Sequence, residues 1–142
     1  MNHLKEKKLN NKGFSLVELI IVIAIMAVLI GVLAPQYLKY VEKSRQSADL
    51  DNYSAMISAV EAWAADPANT WVDGTIKCTA GSASSATGGC STALGDAGID
   101  PTKVTMKSTK YGTCEITATK DTTTGFISFS FTNADVKTGV GR

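Results

Sequence analysis

The hydrophobic pattern divides the chain sharply. From Phe14 to Ala34 it carries one charged residue, Glu18, in a run otherwise dominated by Leu, Ile, Val and Ala. A helix of that length rises about 30 Å, enough to cross the hydrocarbon core of a bilayer. A domain this small could not surround a segment apolar on every side, so the pattern predicts a membrane-spanning helix at 14–34. Beyond Pro35 the pattern turns amphipathic. Tyr37, Val41 and Ala48 start an apolar stripe that Tyr53, Met56, Ile57, Val60, Trp63 and Ala64 continue at helical steps. Lys39, Glu42, Lys43, Arg45, Asp49, Asp51 and Glu61 are left to the other sides. Asp66-Pro67 ends the helix, because a residue before proline is pushed out of helical geometry. The whole element, 14–65, would be about 78 Å long. Gly31 and Pro35 mark its weak point, since glycine loosens the turn and proline removes a backbone donor.

The amphipathic half, 35–65, needs an apolar partner, and the remainder of the chain supplies one. Lys103–Ser108, Thr113–Lys120 and Gly125–Thr132 alternate as strands do. Val104 with Met106, then Cys114, Ile116 and Ala118, then Ile127, Phe129 and Phe131 form their apolar faces. Tyr111-Gly112 and Asp121–Gly125 provide turns, and the small, polar stretch Thr79–Gly89 reads as a variable surface loop. The fold class is therefore α+β: a long N-terminal helix packed on a small three-stranded antiparallel sheet, with 66–142 as the globular head.

Composition narrows the functions. The 142 residues carry a formal net charge of +1, and the one basic cluster, Lys5, Lys7, Lys8 and Lys12, precedes the apolar run. That placement suits a topogenic signal holding the N-terminus in the cytoplasm, and no specific nucleic-acid partner is expected. The single histidine, His3, lies in the same segment, which leaves the rest without an imidazole base or ligand. No nucleophile–base pair, metal cluster or phosphate loop is present in the sequence, so neither a cofactor nor an enzyme is expected. Cys78, Cys90 and Cys114 lack metal-ligand spacing. In an exported head, one disulfide and one leftover thiol are expected. Cys78–Cys90, closing the glycine-rich loop, is favoured narrowly over Cys78–Cys114.

The string Gly13-Phe14-Ser15-Leu16-Val17-Glu18, with lysines before it and the spanning helix after it, resembles the type IV pilin family. Pseudopilins of type II secretion and competence pilins share that likeness, which is specific from Lys12 to about Arg45. It implies that residues 1–13 are a leader, cut between Gly13 and Phe14 by a prepilin peptidase, and that the new Phe14 amine is N-methylated. It also implies that Glu18 pairs with Phe14 of a neighbouring subunit. Pairing with the amine of its own chain and with the positive end of its helix is the simpler alternative. A carboxylate inside a membrane segment costs about 2.5–3.5 kcal/mol, which by itself marks Glu18 as functional. The partners implied are identical subunits, the peptidase, the pilus assembly machinery and the cytoplasmic membrane, with the assembled form at the cell surface.

Two other roles compete with a pilin. A pseudopilin would build a short, piston-like filament; secretion pseudopilins share a calcium-binding C-terminal loop, and Asn133 and Asp135 offer too few carboxylates for one. A cleaved secretory signal also has a basic start and an apolar middle, but the helical periodicity here continues past Gly31, Ala34 and Pro35, so the run is retained.

Overall fold

The computed structural model describes residues 13–142. The basic cluster and His3 lie outside the described residues. The chain forms two compact units, the first ending at Leu38 and the second running from Lys39 to Arg142. The element order is α1 (Leu16–Ala65), β1 (Gly74–Cys78), β2 (Ser85–Ala86), α2 (Gly88–Asp96), β3 (Cys114–Lys120), β4 (Ile127–Phe131) and α3 (Ala134–Gly139).

In the first unit, α1 has no fold of its own to bury into. Its most apolar window has a mean hydropathy of 3.1, and none of that window is buried. The break expected at Gly31 and Pro35 is absent from this isolated subunit, where α1 continues through both. Pro35 still removes the N–H that would bond the Gly31 carbonyl. One missing bond is tolerated because regular turns on both sides hold the helix.

In the second unit, the strands form one antiparallel sheet in the order β2-β1-β3-β4. The α+β expectation holds, with one more strand than the sequence suggested. Tyr53, Met56, Ile57 and Val60 of α1 are buried with Ile76, Cys78, Cys114, Ile116 and Ala118 of the sheet. Each fully buried aliphatic side chain contributes about 1.5–3 kcal/mol. Leu94 of α2, Met106 and Val136 of α3 close the same core. The alternation read for β3 is correct: Cys114, Ile116 and Ala118 point inward, while Thr119 on its other face pairs its hydroxyl with Ser128.

Several expectations need correction. Lys103–Ser108 is not a strand of the sheet. Pro101–Lys103 is a 3-10 turn capped by Asp100, and Thr105 makes a single bridge to Ala83. The N–H groups of residues 107 and 108 go to Asp49 of α1, and that of residue 109 goes to Glu42, so none pairs with a strand. Asp49, read as outward-facing, is consequently 1% exposed. The stretch Thr79–Gly89 contains β2, and Gly88 already begins α2. The side chains of Ala48 and Tyr37, assigned to the apolar stripe, are exposed.

No disulfide joins Cys78 to Cys90; all three thiols are free and buried. A Cβ placed on Gly74 would collide with the Thr87 carbonyl oxygen and lie 3.0 Å from the Cys90 amide nitrogen. Cys90 thus abuts the first residue of β1, whereas Cys78 is the last. Four residues of strand separate those ends by about 13 Å, well past the roughly 7 Å Cα separation that a disulfide spans. The glycines were expected to draw the loop's ends together, but β2 and α2 hold Cys90 at the far end of β1.

Candidate assembly site

Gly13, Phe14 and Ser15 precede α1 and lie outside any helix, so the Gly13–Phe14 bond is exposed in non-helical backbone. A Cβ on Gly13 would meet nothing within 4 Å. Glycine at this position therefore answers to no packing within the subunit. Phe14 is 85% exposed, an unusual position for an aromatic ring with no partner of its own.

The local chemistry from Ser15 to Glu18 is a reciprocal helix cap. The Val17 amide donates to Ser15 Oγ at 3.3 Å, and the Ser15 amide donates to Glu18 Oε2 at 2.8 Å. Ser-x-x-Glu ahead of an apolar run is the capping box, which satisfies donors that the first helical turn leaves free. The Ser15–Glu18 spacing makes this cap legible in the sequence, and it gives Glu18 a role beyond charge pairing. The cap also fixes where the carboxylate sits: in the first turn of α1, at the positive end of the helix. Glu18 Oε1 makes no hydrogen bond among the described residues, so the carboxylate retains an acceptor for a cation. Phe14, Glu18, Leu19 and Val22 line one shallow groove.

From Leu16 to Leu33 the large apolar side chains are all about half exposed or more. Gly31, too, has open space where a Cβ would stand. The surface is thus a continuous apolar cylinder with one carboxylate at its start, suited to lipid or to other such helices. Residues 8–34 match the family model described as the prokaryotic N-terminal methylation motif. The N-terminal segment resembles that of type IV pilins.

Curated proteins similar to this chain over the same segment are type IV pilin and fimbrial proteins. The type IV major pilin protein PilA of Myxococcus xanthus is 39% identical over 49 residues, which cover 34% of this chain and 22% of PilA. The type IV major fimbrial protein FimA of Dichelobacter nodosus is 40% identical over 50 residues, covering 35% of this chain and 32% of FimA. The matched segment thus spans less than a third of either relative. No solved structure matches the chain significantly.

Away from this segment, the polar side chains of α1 serve the head. Glu42 Oε1 accepts from the Thr109 amide and hydroxyl, both at 2.9 Å, and Asp49 accepts from the Lys107 and Ser108 amides at 2.7–3.1 Å. The Thr109 donors hold the Glu42 carboxyl below the usual carboxylate range. Tyr53 donates its hydroxyl to the Tyr111 carbonyl at 2.9 Å, and burial pushes its phenol pKa up. These three side chains fix the 107–111 segment against α1. Asp49 was detectable in the sequence, since it stands four residues before Tyr53 and eight after Val41, on the stripe itself.

Proposed function

We propose that this chain is the structural subunit of a type IV pilus-like surface filament. The precursor sits in the cytoplasmic membrane as a single-pass protein with its N-terminus in the cytoplasm. A prepilin peptidase cuts between Gly13 and Phe14, and the Phe14 amine is methylated. Assembly machinery then withdraws the subunit from the bilayer and packs residues 14–34 against those of identical subunits. The head, 66–142, faces outward and carries no catalytic role.

The observation that carries this reading is the exposed apolar length of α1, with a capped carboxylate in its first turn and a non-helical bond just ahead. Burying a charge in an apolar bundle is tolerable only if a partner meets it. The free Oε1 of Glu18 suits a methylated ammonium on Phe14 of a neighbour, which stays positive at neutral pH. A mis-seated subunit would leave that charge unpaired, so the pair acts as a check on axial register. The small number of carboxylates around Asn133 and Asp135 favours a pilin over a calcium-binding pseudopilin.

Filaments sheared from cells test this directly. Mass spectrometry should find this chain as the main component, with an N-terminal peptide beginning at N-methylated Phe14. Filaments retaining residues 1–13 would refute the processing. Absence of the chain from surface fibres, with the trimmed form confined to the envelope, would favour the pseudopilin.

A further inference from the structure

The core of the head holds two thiols on directly opposed residues. In the register of β1 with β3, Cys78 stands across from Cys114, and opposed residues of antiparallel strands share a face with Cα atoms about 4.5–5.5 Å apart. That lies within the Cα range of protein disulfides. Both residues are buried, at 0% and 1% exposure. Cys90, at the far end of β1 beside Gly74, is out of reach of either. We infer that Cys78 and Cys114 are a cross-strand disulfide site, closed when the head folds against a disulfide oxidant, with Cys90 left as a thiol.

The timing follows from what covers the pair. Tyr53 of α1 lies beside the Cys78 thiol, shares the buried core with Cys114 and is itself completely buried. Burial raises the Cys78 pKa and pushes Cys90 up to about 11, with the Asp73 carboxylate adding to the shift at Cys90. Thiol–disulfide exchange requires a thiolate with access to a disulfide. The bond therefore forms while β1 and β3 are paired and α1 has not yet covered them. One cysteine loses its proton and attacks the oxidant's disulfide, releasing one oxidant thiol. The second cysteine, deprotonated in turn, displaces the other oxidant sulfur. Two protein thiols become one S–S bond, and one oxidant disulfide becomes two thiols. Closing so long a segment stabilises the folded head by on the order of several hundred-fold in the folding equilibrium.

Whether the oxidant is met in the cell rests on the export of the head proposed above; the site itself does not. The full chain, in detergent micelles, is unfolded, reduced and refolded with oxidised glutathione, then alkylated under denaturing conditions and mapped without reduction. The expected result in wild type is a peptide pair joining Cys78 to Cys114, with Cys90 as the one alkylated cysteine; in Cys90→Ala the same pair forms and no cysteine is alkylated. Three alkylated cysteines, a link to Cys90, or loss of the link in Cys90→Ala would overturn the site. The same mapping on cells, paired with protease added outside, separates the two readings. Free thiols in a protease-protected head would refute export and leave the refolding result standing. Free thiols in a protease-accessible head would refute the disulfide.

Discussion

Replacing Asp49 tests how the head is fastened to its helix. The carboxylate takes the Lys107 amide on both oxygens, at 3.0 and 3.1 Å, and the Ser108 amide on Oδ2 at 2.7 Å. Hydrogen bonds to a charged acceptor contribute about 1.5–3 kcal/mol each, and an orphaned buried donor costs about 1–3 kcal/mol. The side chain of Lys107 is exposed, whereas Ser108 is 1% exposed. The Lys107 amide can recover water more readily than the Ser108 amide can. Desolvating the carboxylate offsets part of the gain. Asp49→Ala should therefore cost about 2–4 kcal/mol, and Asp49→Asn roughly half, since its amide oxygen still accepts from one donor while its NH2 opposes the other. For a folded unit of about 100 residues, Lys39 to Arg142, each kcal/mol shifts Tm by about 4–8 °C. Both tryptophans, Trp63 and Trp71, lie in the second unit with ring centroids 6.0 Å apart. Their fluorescence during melting in micelles reports on that unit rather than on the membrane segment. Amide exchange at Ser108 gives a second readout: it should be slow in wild type and fast in Asp49→Ala. A loss below about 0.5 kcal/mol, or a Ser108 amide that remains protected, would refute the reasoning.

Other outcomes follow from individual residues. Gly13→Leu should leave the fold and membrane insertion unchanged, because a Cβ there meets nothing, yet precursor should accumulate; normal trimming on immunoblots would contradict a peptidase that demands glycine. Glu18→Ala should insert in the membrane with less penalty and fail to polymerise. Glu18→Gln, which keeps a cap acceptor but no charge, should also fail, and wild-type filament yield from it would leave only the capping role. In a filament map, α1 should lose or stretch hydrogen bonds between Gly31 and Pro35, where one bond is already missing; a regular helix there would refute the proposed hinge. The Glu42 pKa is depressed by its Thr109 donors, with a smaller contribution from Arg45. Its contribution to head stability is thus complete above the ordinary carboxylate range and is lost as pH falls through the lowered folded value. Melting temperature measured from pH 6 downward should fall less steeply in Glu42→Gln than in wild type.

The sequence by itself determined the features that depend on local pattern. A long run with Glu18 as its one charge reads as a helix apolar on every side, and the helix boundary at Asp66-Pro67 follows from backbone sterics, as α1 ending at Ala65 shows. Alternation over Cys114–Lys120 and Ile127–Phe131 identified β3 and β4, because each strand presents one face to a core. The motif from Gly13 to Glu18 was legible because its chemistry is carried by neighbouring residues. The tertiary structure decided what depends on distant partners. Gly74–Cys78 begins with glycine and has only Ile76 and Cys78 to form an apolar face, so its alternation is weak, yet it pairs with both β2 and β3. Lys103–Ser108 has strand-like alternation, but Asp49 and Glu42, more than 50 positions away in the chain, take the amides of 107–109 that a sheet would need. Cysteine pairing was open for the same reason. Spacing along the chain brought Cys78 near Cys90, whereas strand register sets Cys78 opposite Cys114 and holds Cys90 at the other end of β1.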